Sequence, residues 1–400
     1  MRSGVLPHLP ILMFFAWIVF HYAVWSVDRV EQLRELTGFW LRCLIASLIG
    51  MRLGASLTKT PGSGSEIVLK NCSKRLLFAS LFGTLAIYLS RYMYEVLDTG
   101  KWLHTDFYMT PFNGKPQVII FITILLTAVF AGFPPSLKSK ENQLLAGGAL
   151  LTTLACLFVL YTANTKNGFL IFGLLVAAFL TKLVREQLDY KKALLIGLLA
   201  SVLTVVGYLH VQSNPAWRNI VPDIKVGLNI ENNTYWKNWI NEPEPKNELG
   251  VSVNQSTYLR TAWFRAATEL IYENPQGYGL MSYSFSYLAM QKWPDFYSRE
   301  NDHMVATHSG WTDLTLAFGL PALLLVQFSW WRSYRRAKHF SGYWYQYIRW
   351  TVPTITFTYL TVEVSYDVFY ELLFLFLGLF SALTRIPSNR SGDSGTASAG

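Results

Sequence analysis

The feature that most constrains this chain is a succession of apolar runs, each about as long as a membrane crossing, separated by short polar loops. They fall at about 9–27, 37–57, 76–97, 117–136, 144–163, 167–184 and 193–212, and again at 309–331, 347–365 and 369–384. A helix needs about 20 apolar residues to cross a hydrocarbon core of roughly 30 Å, and it satisfies its own backbone hydrogen bonds where water is absent. The pattern therefore predicts an all-α polytopic membrane protein with about 10–12 transmembrane helices. Composition points the same way. Of 400 residues 52% are hydrophobic and only 15% charged, which excludes an ordinary water-soluble domain. The first run follows Arg2 as a signal peptide's would. It carries Trp17, His21 and Trp25 and lacks an Ala-x-Ala cleavage site, so it reads as a retained span.

One long polar stretch interrupts the series. The organisation expected is an N-terminal transmembrane bundle over 1–212, an external loop or lid over 213–307, C-terminal transmembrane helices over 308–385, and a Ser/Gly/Ala-rich disordered tail over 386–400. Orientation follows from the cations, because short Lys/Arg-rich loops stay in the cytoplasm. One set of loops holds Lys70, Lys74 and Arg75, then Lys138 and Lys140, then Lys182, Arg185, Lys191 and Lys192, then Arg332, Arg335, Arg336 and Lys338. The opposite set is balanced or acidic, with Asp28, Glu31 and Glu35, then Glu95, Asp98 and Asp106, then Asp367 and Glu371. The segment 213–307 shares that second, external side. Topology thus explains the net charge of +9, and nucleic acid is not an expected partner. Cys43 and Cys156 fall inside apolar runs and Cys72 in a basic loop, a spacing that fits neither a disulfide framework nor a zinc site.

Within the lid, Leu259, Ala262, Trp263, Ala266, Ala267, Leu270 and Ile271 have helical spacing, predicting a helix over Ser256 to Glu273 that roofs the bundle. Asn274-Pro275, followed by Gly277 and Gly279, stops it. Arg260 and Arg265 on this helix are roughly 140° apart around its axis, so they do not grip one phosphate together. Arg42, Arg91, Asp313 and Glu363 fall in the outer halves of spans. There Arg42 and Arg91 extend a cationic surface, while Asp313 and Glu363 orient a base or pair with an arginine; structural ion pairing is the plainer reading of all four. Tyr283, beside Tyr278 and Tyr287, has the chemistry to stack on a sugar. His308 stands at the outer start of the eighth run. Position alone leaves it two readings, a proton-exchanging group or an interfacial capping histidine.

His308-Ser309, nine residues, then Gly319-Leu-Pro-Ala322 resembles the H-[NSQ]-x9-G-x-x-G pattern of the bacterial O-antigen ligases, a branch of the O-antigen ligase and polymerase family. Ala322 stands where the pattern has its last Gly, a change that bears on helix packing. Upstream, Arg260-Thr-Ala-Trp-Phe-Arg265, running on to Asn-Pro-Gln-Gly-Tyr-Gly279, is similar to the family's external Arg-containing helix. Lys166-Asn-Gly-Phe-Leu170 matches the family's R-x3-L motif with Lys in place of Arg, which keeps the charge and loses the bidentate fork. The resemblance covers the fifth to the eighth run.

What the resemblance implies is a GT-C-like glycosyltransferase in the bacterial inner membrane with its active site facing the periplasm. Members similar to this chain move a glycan from undecaprenyl diphosphate to the lipid A core. His308 is then the base, and Arg260, Arg265 and Lys166 the diphosphate clamp, with Arg91 and Arg42 extending it. Such chemistry requires no metal and no cofactor, because cations neutralise a leaving group that is already good, and a single displacement inverts the anomeric centre. Three rivals remain open on sequence. An O-antigen polymerase would join two carrier-linked units. A protein O-oligosaccharyltransferase usually carries a further soluble domain, and a transporter of an anionic lipid or glycan would distribute its charges through the depth of the bundle.

Overall fold

The computed structural model describes residues 9–58, 64–102, 112, 114–186, 190–282, 284–296, 305–362 and 367–385. Every regular element among them is helical. The N-terminal half holds α1 (Leu9–Trp25), α2 (Arg29–Glu35) and α3 (Leu41–Thr58) joined through a π-turn at Leu36–Trp40, α4 (Gly64–Thr99), α5 (Lys115–Ala131), α6 (Lys140–Thr162), α7 (Lys166–Arg185) and α8 (Tyr190–Ser213). The lid contributes α9 (Ile220–Leu228), α10 (Gln255–Glu273) and α11 (Ser284–Lys292). After it come α12 (Gly310–Ala337), α13 (Tyr343–Thr361) and α14 (Asp367–Leu383). Each apolar run expected from sequence coincides with one of these helices. Among the described residues, six helical stretches are long and apolar enough to cross a membrane: 29–58, 72–99, 140–162, 166–185, 190–212 and 310–337. Shorter apolar helices lie at 9–25, 115–131 and 368–383. The second span starts earlier than its apolar run. Asp28 caps α2 by accepting from the amides of Val30 and Glu31 (both 3.0 Å), and Glu35, expected in an acidic loop, is instead buried.

Small residues and hydroxyls hold the spans together, as they must where hydrophobic contrast with lipid is absent. α3 and α14 pack backbone to backbone. A Cβ on Gly50 or Gly54 would fall on the carbonyl oxygens of Leu375 and Leu379, and one on Gly378 would meet that of Ser47. Thr127 and Thr351 link α5 to α13 at 3.2 Å, and Tyr88 and Thr162 link α4 to α6 at 2.8 Å. None of the three cysteines forms a disulfide, and Cys43 and Cys156 are buried.

The lid has a hydrophobic core of its own, built from Tyr235, Trp236, Tyr258, Leu259, Trp263, Phe285, Leu288 and Phe296 and reaching Leu316 of α12. Burial pushes the Tyr258 phenol well up, so it stays neutral, donating to the carbonyl of Asn233 at 3.3 Å. α10 closely follows its sequence expectation and stops at Asn274 before Pro275. The next residues lock onto a break in α12. Gly319 has φ +74, so α12 is two helical pieces around a Gly319–Pro321 interruption. The amides of Tyr278 and Gly279 donate to the freed carbonyls of Leu316 (2.8 Å) and Ala317 (2.6 Å), while Leu320 donates back to Pro275 (2.8 Å). Trp17 of α1 takes the remaining carbonyl, that of Phe318, through its indole at 2.7 Å. Gly277, with φ +89, lies so close to Gly319 that neither admits a side chain.

Gly319→Ala should therefore lower stability by about 2–3 kcal/mol, combining a disfavoured φ with overlap on the Pro275 and Gln276 backbone. Ala322→Gly, in regular helix, should cost about 1 kcal/mol. Thermal melts of the two variants in detergent check the difference; equal melting points would show that the docking does not stabilise the lid.

Candidate functional site

Between the lid and the adjoining ends of the spans lies a cavity of about 550 Å³. Ile119, Leu170, Ile220, Ile224, Leu228, Phe264, Leu360 and Val362 give it an apolar lining. Lys115, Lys166, Arg260 and His308 share that lining, and Ile119, Leu170 and Phe264 stand one helical turn from the three cations. Four separate parts of the chain supply these four residues. Lys115 and Lys166 are the first residues of α5 and α7, Arg260 sits on the second turn of α10, and His308 lies two residues before α12.

His308 is held from three directions. Thr307, just before it, donates its amide (3.0 Å) and its hydroxyl (2.7 Å) to one oxygen of the buried Asp313. Ser309, just after it, caps α12, accepting from the amide (3.4 Å) and hydroxyl (2.9 Å) of Thr312. The imidazole stacks on Trp263 of α10, 5.5 Å between centroids and 13° between planes. These ties keep the His308 backbone at φ +57, a left-handed conformation rare for a side-chain-bearing residue. Asn164 at φ +47 is the other such residue among those described, and it too lines the cavity. Local backbone strain of this kind persists only where surrounding contacts over-determine it.

The two lysines are held by neutral oxygens as well. Lys166 Nζ donates to Asn254 Oδ1 (3.0 Å) and Thr257 Oγ1 (3.2 Å), and Lys115 Nζ donates to the Asn164 carbonyl (3.2 Å). Lys166 is within electrostatic range of Arg260 and Lys115, so the lining concentrates positive charge. Trp217 completes the rim, its indole donating to His210 at 2.9 Å while His210 stacks on Phe169. Cations beside apolar side chains at the end of a helical bundle can bind an anion that carries an apolar chain. A histidine in the same cavity can move a proton at that anion's edge.

The other residues singled out from sequence fall elsewhere. Arg265 points away from the cavity into an ion pair with Glu269 at 2.8 Å, in a cluster that includes Lys292. The angular argument from helix geometry had separated it from Arg260. Arg42 pairs with Glu371 at 2.6 Å, and Arg91 is exposed on α4; neither lines the cavity. Asp313 lines nothing itself and acts on the Thr307 backbone. Glu363 and Tyr283 lie outside the described residues. Sequence reading missed Lys115, whose signal was its place at the start of a span after Gly114. It also missed Asp223, a fully buried acid on α9 whose lone position in a polar stretch gave no signal.

Residues 151–326 match the family model described as O-antigen ligase. The match opens within α6 and closes within α12, so it takes in Lys166, Arg260 and His308 and leaves out Lys115. No curated protein matches the chain.

Replacing Asp313 by Ala leaves the buried Thr307 amide without its acceptor and its hydroxyl with only the Ser309 carbonyl at 3.2 Å, at a cost of about 1–3 kcal/mol. The expected result is a lower melting point together with faster amide hydrogen exchange at residues 307–309. Exchange unchanged at those residues would show that Asp313 does not hold the His308 turn.

Proposed function

We propose that this chain, whose residues 151–326 match the O-antigen ligase family model, is an O-antigen ligase. It takes a glycan from undecaprenyl diphosphate on the periplasmic side of the bacterial inner membrane and transfers it to the lipid A core oligosaccharide. The observation that carries the reading is the convergence of Lys115, Lys166, Arg260 and His308 on one cavity that Ile119, Leu170, Ile224 and Leu360 also line. A lipid-linked diphosphate presents both characters at once. Its phosphates match the cations, and its first isoprene units match Ile119, Leu170 and Leu360.

The chemistry is a single displacement. A core-sugar hydroxyl attacks the anomeric carbon of the donor glycan from the face opposite the diphosphate. The new C–O bond forms as the bond from that carbon to the phosphate oxygen breaks, and the electron pair leaves with undecaprenyl diphosphate. His308 accepts the hydroxyl proton. Its stacking on Trp263 and the Asp313-braced turn hold the ring in one orientation, which is what a general base requires. Arg260, Lys166 and Lys115 stabilise the charge that grows on the departing diphosphate, in a half-buried site where such stabilisation is stronger than in water. These groups carry the leaving-group charge themselves, so the reaction is read as independent of metal and as inverting. The cations gather at the lid end, which favours surface chemistry over passage through the bilayer.

Purified protein in detergent, mixed with undecaprenyl diphosphate-linked glycan and lipid A core in the presence of chelator, should place the glycan on the core. Lengthening of the glycan on its carrier would instead establish a polymerase. His308→Ala should reduce the rate at least about a hundredfold, as removal of a general base does. Arg260→Ala should cost about a hundredfold. Arg265→Ala, losing a surface pair with Glu269, should stay within about threefold of the parent. Full activity in His308→Ala would remove it as the base.

A further inference from the structure

The cavity's cations come from separate parts of the chain, and one residue outside the cavity ties two of those parts together. Asp223 on α9 is fully buried. One of its oxygens accepts from the side-chain amide of Asn247 at 2.9 Å, the other from the backbone amide of Asn254 at 3.0 Å. Asn254 is the N-cap of α10, its side-chain oxygen accepting from the Thr257 amide at 3.2 Å. That same oxygen receives Lys166 Nζ. The line Asp223–Asn254–Lys166 therefore joins three helices, α9 and α10 of the lid and α7 of the bundle. α9 and α10 also touch so closely at Gly227 that a Cβ there would approach the Tyr258 carbonyl to 2.8 Å.

We infer that Asp223 is a positioning residue of the diphosphate site. It fixes the Asn254 cap so that Lys166 faces into the cavity beside Arg260. The inference rests on the reading that the cavity takes a lipid-linked diphosphate. Two physical consequences support the role. A buried carboxylate is costly unless its oxygens are occupied, so Asp223 tolerates little change in where Asn254 and Asn247 stand. Lys166 is then held by an amide oxygen and a hydroxyl, not by a carboxylate in direct contact. Its charge stays available to a phosphate, while the carboxylate one residue behind offsets repulsion among Lys166, Arg260 and Lys115. An acid in contact with Lys166 would instead compete with the substrate.

The test is a double-mutant cycle read by binding, with farnesyl diphosphate titrated calorimetrically into the detergent-solubilised full chain. Asp223→Ala and Lys166→Ala should each weaken binding about tenfold, and the double variant should lose far less than the hundredfold product, since both changes remove one coupled unit. Asp223→Asn keeps the volume and one acceptor for the Asn254 amide. It should lose only about threefold, a loss that shrinks in the Lys166→Ala background, and it carries the cycle if the alanine variant fails to fold. Multiplicative losses in the cycle that is run would overturn the positioning role while leaving the diphosphate site intact. Absence of farnesyl diphosphate binding in the parent chain would overturn the diphosphate reading, and the role of Asp223 with it.

Discussion

The break in α12 at Gly319 is the constraint on which the rest of the arrangement depends. An unbroken helix would keep the carbonyls of Leu316, Ala317 and Phe318 in its own ladder and give the lid nothing to grasp. With Gly319 at φ +74 and Pro321 lacking an amide hydrogen, those carbonyls turn outward and are taken by Tyr278, Gly279 and Trp17. One irregularity thus satisfies its own lost hydrogen bonds by docking two other parts of the chain. The lid is anchored to the same helix that begins with the His308 turn, so its position and that of the candidate base are mechanically linked.

That linkage explains how a cavity assembled from distant segments can be specific. Lys115 and Lys166 are separated by two helices in sequence, and Arg260 lies on an element outside the spans. Both lysines are attached to neutral oxygens by short, directed bonds. Such attachment orders a flexible lysine without neutralising it, the condition under which a cation does most for an incoming phosphate. The apolar residues of the lining add the complementary half, a surface on which the proposed lipid chain would lie.

Much of this was legible in the sequence where a single physical rule dominated. Spanning length located all ten apolar helices, and helical period with the Asn274-Pro275 stop located α10 closely. The 100° step per residue was enough to part Arg260 from Arg265. Less was legible where the outcome depended on which segments meet. Asp28 as a cap lengthened the second span and drew Glu35 out of an expected loop into a buried position, where it accepts from the amides of Met281 (2.9 Å) and Ser282 (2.7 Å). Arg42 and Arg91 share the cationic character of the site and lie on the wrong faces to reach it, because hydropathy sets depth in the membrane and not rotation about the helix axis. Asp223 could not be read at all. Its meaning comes from Asn247 and Asn254, 24 and 31 residues away.

The left-handed turn at His308 brings these threads together. A histidine at a helix start would ordinarily be free to reorient with its capping loop. Here Asp313 draws Thr307 inward from one side, Ser309 closes the cap on the other, and the intervening residue has only a positive φ left to it. Trp263 then fixes the ring from above, and Trp263 is itself embedded in the lid core with Phe285 and Trp239. The orientation of the imidazole is consequently a property of the lid's packing as much as of α12. A lid that slackened would loosen the His308 ring at the same moment as it moved Arg260, so under the proposed function proton acceptance and leaving-group stabilisation would be lost together.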